Sequence, residues 1–176
     1  MLEYILLGLL REQPMSGYDL KKTIDYTINF FYSASFGSLY PALKRLENKN
    51  YVDVRNVEGS SKNKKIYSLK EEGHAAFINW LEQPIKLNKS EGLLKVFFLD
   101  ALTKDKQTTL LQEFGINLKN EKLAIKNVEQ VVLKELTQIP NPEDFYYRLS
   151  VLQYGIHFFD MQTKWLEHIM MKKEWS

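Results

Sequence analysis

The sequence predicts a mainly α-helical protein that contains one small β-hairpin. Three observations support this fold class. Apolar residues recur at helical spacing along most of the chain. The period changes only between residues 51 and 69, where two short alternating segments enclose a cluster of turn residues. Pro84, Pro140 and Pro142 then separate the long amphipathic stretches of the second half.

Three helices are predicted before the hairpin. The first covers residues 2–11. The second begins after Ser16, because Ser16 and Asp19 have the spacing of a capping box, and it runs to about Asn29. The third begins near Ser35, after a short aromatic linker. Three short helices close together in the sequence are typical of a helix-turn-helix arrangement.

The hairpin follows the third helix directly. Residues 51–55 and 65–69 alternate between polar and apolar side chains, as strands do, and residues 71–81 return to helical spacing. The order of helix, helix, helix, hairpin and helix is that of a winged helix-turn-helix domain, which we predict to cover residues 1–84. Residues 85–176 are predicted to form a helical dimerisation domain.

The third helix is predicted to have a core face and a face suited to DNA. Its core face is formed by apolar residues at helical spacing, which are Phe36, Leu39, Leu43 and Leu46. The opposite face is small and basic and comprises Gly37, Ser38, Pro41, Lys44, Arg45 and Asn48. A DNA major groove about 12 Å wide admits one helix if no bulky side chain blocks the approach. The positive helix N-terminus near Ser35 can also face a phosphate group.

Basic residues are concentrated around this helix and the hairpin. From Lys44 to Lys65 the chain carries seven basic and three acidic residues, which gives a net charge of +4, whereas the whole chain has a formal net charge of +2. A local basic patch indicates contact with a phosphate backbone, although a solvated basic loop is the alternative. The residues predicted to contact double-stranded DNA are Ser35, Gly37, Ser38, Pro41, Lys44, Arg45, Lys62, Lys64 and Lys65.

Two long helices are predicted in the second half, over about residues 106–136 and 143–171. The apolar stripe of the first comprises Leu110, Phe114, Leu118, Ile125, Val128 and Val132. The stripe of the second comprises Phe145, Leu149, Leu152, Ile156, Phe159 and Leu166. Helices of this kind pack against partner helices. Since the chain offers few helices to cover them, we predict a homodimer that binds a palindromic operator; an intramolecular bundle is the alternative.

Three stretches of the first half resemble the PadR family of bacterial transcriptional regulators, namely residues 5–10, 15–22 and 35–47. The third stretch carries Ser-x-Gly-Ser-Leu-Tyr-Pro-x-Leu-x-x-Leu, the recognition-helix signature of that family. Residues 94–98 and 154–166 are similar to the C-terminal domain of its longer members. The resemblance implies a homodimer that usually represses transcription, often of detoxification or transport genes, and that often responds to a small molecule.

The resemblance also implies that Tyr40 contacts DNA. Two positions depart from the family pattern. Residues 60–65 read Ser-Ser-Lys-Asn-Lys-Lys, where the family commonly has Gly-Arg-Pro-x-Arg-Lys. Lysine keeps the charge but lacks the planar fork of arginine, so we expect phosphate contact by the hairpin rather than minor-groove readout. Lys70 stands where the family often has threonine, which predicts a weaker cap for the fourth helix.

Two other classes of protein are less consistent with the sequence. An enzyme is disfavoured because His74, His157 and His168 have no metal-ligand spacing, and no nucleophile elbow, phosphate loop or nucleotide fingerprint occurs. The chain has no cysteine. We therefore predict no catalytic residue, no metal and no cofactor. The second alternative is a winged-helix module that binds protein without binding DNA, and the basic hairpin argues against it.

Aromatic residues of the second half could line a site for a small aromatic effector, although such residues are more often core or dimer contacts. The candidates are Phe97, Phe98, Tyr154, His157, Phe158 and Trp165. Residues 1–10 lack a basic segment and a cleavage site of the secretory type, and their apolar run is too short to cross a bilayer. We therefore expect a cytoplasmic protein without a membrane partner.

Overall fold

The computed structural model describes residues 1–57, 64–87 and 89–172, and it confirms the predicted fold class. Helices dominate, and one small antiparallel sheet accompanies them. The chain divides into two compact units, residues 1–107 and residues 108–176. Among the described residues, none of the helices combines the length and the hydrophobicity that a membrane span requires.

The first unit contains the elements of a winged helix. In chain order they are α1 (Leu2–Leu10), β1 (Met15–Ser16), α2 (Gly17–Thr27), α3 (Phe36–Asn48), β2 (Val52–Asn56), β3 (Lys65–Leu69), α4 (Glu71–Leu81) and α5 (Lys89–Phe97). The sheet has the order β1-β3-β2, and both pairings are antiparallel. The bounds of β3 and α4 agree with the prediction. Strand β1 was not predicted, because two residues are too few to show an alternating period.

The start of α2 follows from local sequence. The Ser16 hydroxyl accepts a hydrogen bond from the backbone N–H of Asp19 at 3.2 Å, and the Asp19 carboxylate accepts one from the backbone N–H of Ser16 at 3.3 Å. This reciprocal capping box satisfies two donors that a helix N-terminus otherwise leaves unpaired. Ser16 also pairs with Ile66 of β3. The same residue therefore ends β1 and caps α2, and of these two roles the sequence predicted only the cap.

The core of the first unit lies where α1, α2, α3 and α4 meet. Its fully buried side chains include Ile5, Leu6, Leu20, Ile24, Leu39, Leu43, Leu46, Phe77 and Leu81. Gly8 of α1 allows the closest approach. A Cβ atom at this position would lie 2.6 Å from Phe98 Cζ and 2.9 Å from Phe77 Cε2. Any larger residue would push apart α1, α4 and the segment after α5.

Lys95 is a buried lysine that attaches α5 to the C-terminal end of α4. Its ammonium group donates hydrogen bonds to the carbonyl oxygens of Trp80 at 2.8 Å and Gln83 at 2.6 Å, and it lies 5.2 Å from the centre of the Trp80 ring. A helix C-terminus has unpaired carbonyl groups and partial negative charge, so an ammonium group suits this position. Burial lowers the pKa of Lys95 to about 8. By its contacts, the first unit takes in α5 and ends at residue 107. The functional boundary at residue 84 stays a prediction.

The second unit contains most of α6 (Lys104–Leu136), a 3₁₀ turn (Pro142–Phe145) and α7 (Tyr146–Met170). In this unit α6 and α7 run antiparallel. Lys122 pairs with Asp160 at 2.6 Å, and the Gln153 amide donates a hydrogen bond to Glu129 at 2.6 Å. The prediction that the last helix begins at residue 143 is wrong by one turn, since the segment that starts at Pro142 forms a 3₁₀ turn.

Candidate nucleic-acid interface

The N-terminus of α3 is closed by two serines. The Ser35 hydroxyl accepts a hydrogen bond from the backbone N–H of Ser38 at 3.2 Å, and the Ser38 hydroxyl accepts one from the backbone N–H of Ser35 at 3.1 Å. This capping box confirms the predicted start of the helix. Both serines are exposed. The positive end of α3 is therefore presented to solvent, where an anion can approach it.

Helix α3 buries one face and exposes the other. Leu39, Leu43 and Leu46 of the predicted core stripe are fully buried. The exposed residues include Gly37, Ser38, Tyr40, Pro41, Lys44, Arg45 and Asn48. Pro41 has no amide hydrogen to pair with the carbonyl of Gly37, the residue four positions earlier. Small side chains next to this carbonyl allow another molecule to approach the helix backbone closely.

The prediction that Phe36 belongs to the core face of α3 is wrong, because its side chain is exposed. It is 45% exposed. Its ring stacks on the ring of Tyr40, with centroids 6.1 Å apart, and the Lys21 ammonium group lies 5.7 Å from its centre. Phe36 is the first residue of α3, and side chains tilt toward the N-terminus of their helix. Its ring therefore leans past the helix end, where helical periodicity no longer predicts burial.

The basic residues of α3 are already paired within the unit. The Arg45 guanidinium donates a hydrogen bond to Glu3 of α1 at 2.6 Å, and the Lys49 ammonium donates one to the same carboxylate at 2.7 Å. Partial burial opposes ionisation of Glu3, but the two hydrogen bonds outweigh it and lower the pKa of Glu3. Lys44 pairs with Glu47 one turn later, at 2.8 Å. The side chains of Lys44 and Arg45 both remain exposed, and Arg45 is held toward α1.

Tyr40 lies across the start of α2. It is 49% exposed. A Cβ atom on Gly17 would lie 2.8 Å from Tyr40 Cε1, so this arrangement requires glycine at position 17. The Tyr40 ring therefore has support from α2 and from Phe36, while half of its surface is free to contact another molecule.

The base of the hairpin lies close to both α2 and α3. Lys64 and Lys65 are exposed, whereas Lys62 lies outside the described residues. A hydrogen bond from Ser16 lowers the pKa of Asp19 against the effect of burial, and the charge of Lys64 adds to this lowering. The pKa of Glu47 is lowered mainly by its hydrogen bond with Lys44 and further by the charge of Lys65. The fold thus brings Lys64 near the start of α2 and Lys65 near α3.

Helix α2 adds residues that sequence reasoning did not assign to the interface. Tyr18, Lys21, Lys22 and Tyr26, together with Asp25 and Phe36, line a shallow cavity of about 250 Å³. The Lys22 ammonium group lies 5.8 Å from the centre of the Tyr26 ring. The spacing of four residues between Tyr18 and Lys22, and between Lys22 and Tyr26, places them on one helix face. That spacing was visible in the sequence, but only tertiary packing shows that this face borders α3.

The six candidates for an effector site do not all come together. Phe98 is buried in the core of the first unit, with its ring edge-on to Phe77 at 5.4 Å, and Phe97 is exposed beside it. The other four candidates belong to α7 of the second unit and are Tyr154, His157, Phe158 and Trp165. An open groove of about 530 Å³ along α7 is lined by His157, Asp160, Met161, Lys164, Trp165 and His168. No cluster of three or more potential metal-ligating side chains occurs among the residues that the structure describes.

The first unit is a winged helix-turn-helix domain, with α3 as the exposed helix and β2–β3 as the wing. Residues 6–79 match the model of the Transcriptional regulator PadR-like family, and residues 88–172 match that of the Virulence activator alpha C-term domain. The chain belongs to the PadR-like family of transcriptional regulators. This confirms the resemblance stated above, and a family of transcriptional regulators is not a class of enzymes.

Two curated proteins and one solved structure show how similar the chain is to individual relatives. The negative transcriptional regulator PadR of Bacillus subtilis is 33% identical over 116 residues, which are 64% of this chain and 64% of that protein. A probable transcriptional regulator of Mycobacterium tuberculosis is 32% identical over 85 residues, or 48% of this chain and 45% of that protein. The chain thus spans less than two thirds of the length of either relative. The crystal structure of Bacillus subtilis PadR in complex with operator DNA is 26% identical, with 97% of this chain and 98% of that chain covered and a TM-score of 0.46.

Proposed function

We propose that the protein is a sequence-specific DNA-binding transcriptional repressor. The observation that carries this proposal is the exposed face of α3, on which Gly37, Ser38 and Pro41 leave the helix backbone open beside Tyr40 and Lys44. A helix with such a face fits a major groove, and its N-terminal residues are the ones that reach base edges in helix-turn-helix proteins. The curated relative from Bacillus subtilis is described as a negative regulator.

Each part of the interface has a distinct role in this proposal. Ser35 and Ser38 present the positive end of α3 to a phosphate. The Tyr40 hydroxyl and the Lys44 ammonium contact the backbone on either side of the helix. Lys64 and Lys65 follow the adjacent phosphates from the hairpin, and Lys62, which the sequence places two residues earlier, is proposed to add a third such contact. Phosphate contacts position the protein, whereas the small residues of α3 let it reach the bases.

A mobility-shift experiment tests this function directly. The full chain is mixed with a random-sequence duplex of about 30 base pairs at low salt, and the titration is repeated at increasing salt. A DNA-binding protein shows measurable nonspecific binding that weakens steeply with salt. A winged-helix module that binds only protein shows no shift at any salt concentration, and that result would overturn the proposal.

The proposed active form is a homodimer joined through α7. One face of α7 carries large side chains at alternating spacings of four and three residues, which are Tyr147, Val151, Tyr154, Phe158, Met161, Trp165 and His168. Of these, Tyr147, Val151, Tyr154 and Met161 are exposed. A 4-3 repeat over three heptads is the pattern of a helix that packs against another helix. A different face of α7, with Ile156 and Leu166, is buried.

A dimer also suits the size of the target. One winged helix reads few base pairs, and paired half-sites about 34–36 Å apart supply the rest of the specificity. A two-fold dimer matches a palindromic operator. Chromosomal operators lie in the cytoplasm, which is therefore the location that we propose for this protein.

A small aromatic effector is proposed to bind along the α7 groove. Met161, Trp165 and His168 of this groove also belong to the 4-3 repeat, so the effector would compete with packing of the dimer. Trp165 and Met161 offer an apolar surface, and Lys164 lies one residue from Trp165 in the same groove. An aromatic acid would place its ring against Trp165 and Met161 and its carboxylate near the Lys164 ammonium group. Titration with benzoate, followed by intrinsic fluorescence, should give a saturable change that the Trp165→Phe variant lacks. A change that is identical in both proteins would contradict this site.

A further inference from the structure

Phe36 is an exposed aromatic side chain at the leading end of α3. It is the first residue of the helix and directly follows the capping residue Ser35. Its 45% exposure contrasts with the full burial of Leu39 and Leu43 on the same apolar stripe. Phe36 is not an isolated exposed ring, because it stacks on the half-exposed Tyr40. Adjoining exposed apolar side chains are typical of surfaces that bind another molecule.

The ring is held in this exposed position by its neighbours. Tyr40 stacks on it at an interplanar angle of 19°, and the Lys21 ammonium group lies 5.7 Å from the ring centre. Lys21 is itself paired with Asp25 of α2, so its position is also restrained. An apolar group that is already ordered loses little conformational freedom when it meets a ligand. The free protein therefore presents the ring in a defined place.

The chemistry of the ring limits what it can recognise. Phenylalanine has no hydrogen-bond donor or acceptor, so it cannot read the polar pattern of a base pair. The C5-methyl group of thymine is the only apolar group on the major-groove edges of the four bases. Placed over an adenine, guanine or cytosine edge, the ring would cover polar atoms and leave them without partners.

We propose that Phe36 is a specificity-determining residue that packs against the methyl group of a thymine in each operator half-site. This inference rests on the proposed DNA-binding function and adds one base preference to it. Gly37 and Ser38, which follow Phe36, are small and exposed. They leave room for the ring to reach the floor of the groove at the N-terminal end of α3, the end that contacts bases in helix-turn-helix proteins.

The test removes the methyl group from the DNA and the ring from the protein. The wild-type chain first selects its site from a library of random-sequence duplexes. Each thymine of the selected site is then replaced in turn by deoxyuridine, which lacks only the methyl group. At one thymine per half-site we expect wild-type affinity to fall about fourfold, the effect of one buried methyl group. The Phe36→Ala variant should bind the thymine and deoxyuridine duplexes equally at that position.

Two further variants separate this role from a structural one. Phe36→Leu keeps an apolar contact and should retain part of the thymine preference. Phe30→Ala removes another aromatic ring, 82% exposed and outside α3, and should leave the deoxyuridine scan unchanged. The inference is overturned if every deoxyuridine substitution affects wild type and Phe36→Ala alike. If the library yields no enriched duplex at all, the proposed function itself fails, which is a distinguishable result.

Discussion

The Arg45 guanidinium lies 2.6 Å from the Glu3 carboxylate and joins the proposed recognition helix to α1. Lys49 shares the same carboxylate at 2.7 Å. One acidic side chain thus partly neutralises two basic groups at the edge of the proposed interface. When DNA binds, a phosphate must compete with Glu3 for Arg45, so this ion pair lowers the contribution of Arg45 to affinity.

Replacing Glu3 by glutamine should therefore strengthen DNA binding. We expect an affinity increase of about three- to tenfold at low salt, because a freed arginine adds a phosphate contact. The free energy of unfolding should fall by no more than about 1 kcal/mol at neutral pH, since both basic partners are largely exposed. Glu12→Gln removes an exposed acid that pairs with Arg11 and serves as the control. Equal affinities of wild type and Glu3→Gln would mean that Arg45 does not contact DNA.

The same carboxylate should make stability depend on pH at the acid end. The pKa of Glu3 is lowered from its ordinary value of 4.5, because the effect of partial burial, which would raise it, is outweighed by the hydrogen bonds from Lys49 and Arg45. The unfolded chain then binds the proton more tightly than the folded one. This contribution to stability is present above pH 4.5 and is lost as the pH falls below it. Urea unfolding of wild type and Glu3→Gln should converge on acidification; a constant difference would contradict the assignment.

Lys95 should also make stability rise with pH, but at the alkaline end. Its pKa is about 8 in the folded protein, against an ordinary value of 10.5, because burial disfavours the charged form. Between these values the unfolded chain holds a proton that the folded chain has released, so the free energy of unfolding should rise with pH. We expect wild type to gain stability relative to Lys95→Met from about pH 8 to pH 10.5. Replacing Lys134, an exposed lysine of α6, by methionine is the control and should not reproduce this gain. A stability difference between wild type and Lys95→Met that stays constant with pH would contradict the lowered pKa of Lys95.

The hairpin lysines should determine the salt dependence of DNA binding. Replacing Lys62, Lys64 and Lys65 together by alanine should weaken binding to all sequences alike. The slope of log affinity against log salt should become shallower by about 2 to 3, since each phosphate that is no longer neutralised reduces it by about 0.9. A matched triple replacement on α6, at Lys119, Lys126 and Lys134, should leave the slope unchanged. An unchanged slope in the hairpin variant would show that the lysines of the wing do not contact DNA.

Tyr40 should contribute through its hydroxyl group. Tyr40→Phe keeps the ring against Gly17 and Phe36 but removes the hydrogen bond to phosphate. We expect DNA affinity to fall about tenfold with a nearly unchanged melting temperature. Tyr146→Phe removes an exposed hydroxyl of the second unit, outside the 4-3 repeat of α7, and is the control. Reduced thermal stability with intact DNA binding would instead identify Tyr40 as a structural residue.

The exposed face of α7 should determine the oligomeric state. Light scattering of the full chain at micromolar concentration should give the mass of a dimer. Met161→Glu introduces a charge in the middle of the 4-3 repeat and should shift the protein to monomer, because a buried unpaired carboxylate is strongly unfavourable. Lys164→Gln changes the net charge by the same amount outside the repeat and should remain dimeric. A monomeric wild type would contradict both the proposed homodimer and the proposed binding to a palindromic operator.

Local sequence was sufficient to predict most elements of the first unit. Ser16 and Ser35 each cap a helix through hydrogen bonds within four residues of sequence, and such contacts form wherever the rest of the chain lies. Leu39, Leu43 and Leu46 share one helix face for the same reason. The same spacing predicted the exposed face of α3, and the family resemblance added Tyr40 as an expected DNA contact.

Tertiary structure decided which side chains meet across the sequence. Periodicity placed Phe36 in the core and Arg45 on the open face, yet packing turns Phe36 outward and ties Arg45 to Glu3, 42 residues away. Lys95 stands among apolar residues in the sequence, and only the packing of α4 supplies the carbonyl groups that pair with its ammonium group. Contacts between residues distant in the chain depend on how whole elements pack, and the side-chain period of a single helix contains no information about the charges on its neighbour. The sequence by itself therefore determined the helices, the wing and the family, whereas the partner of each charge was decided only when the helices packed together.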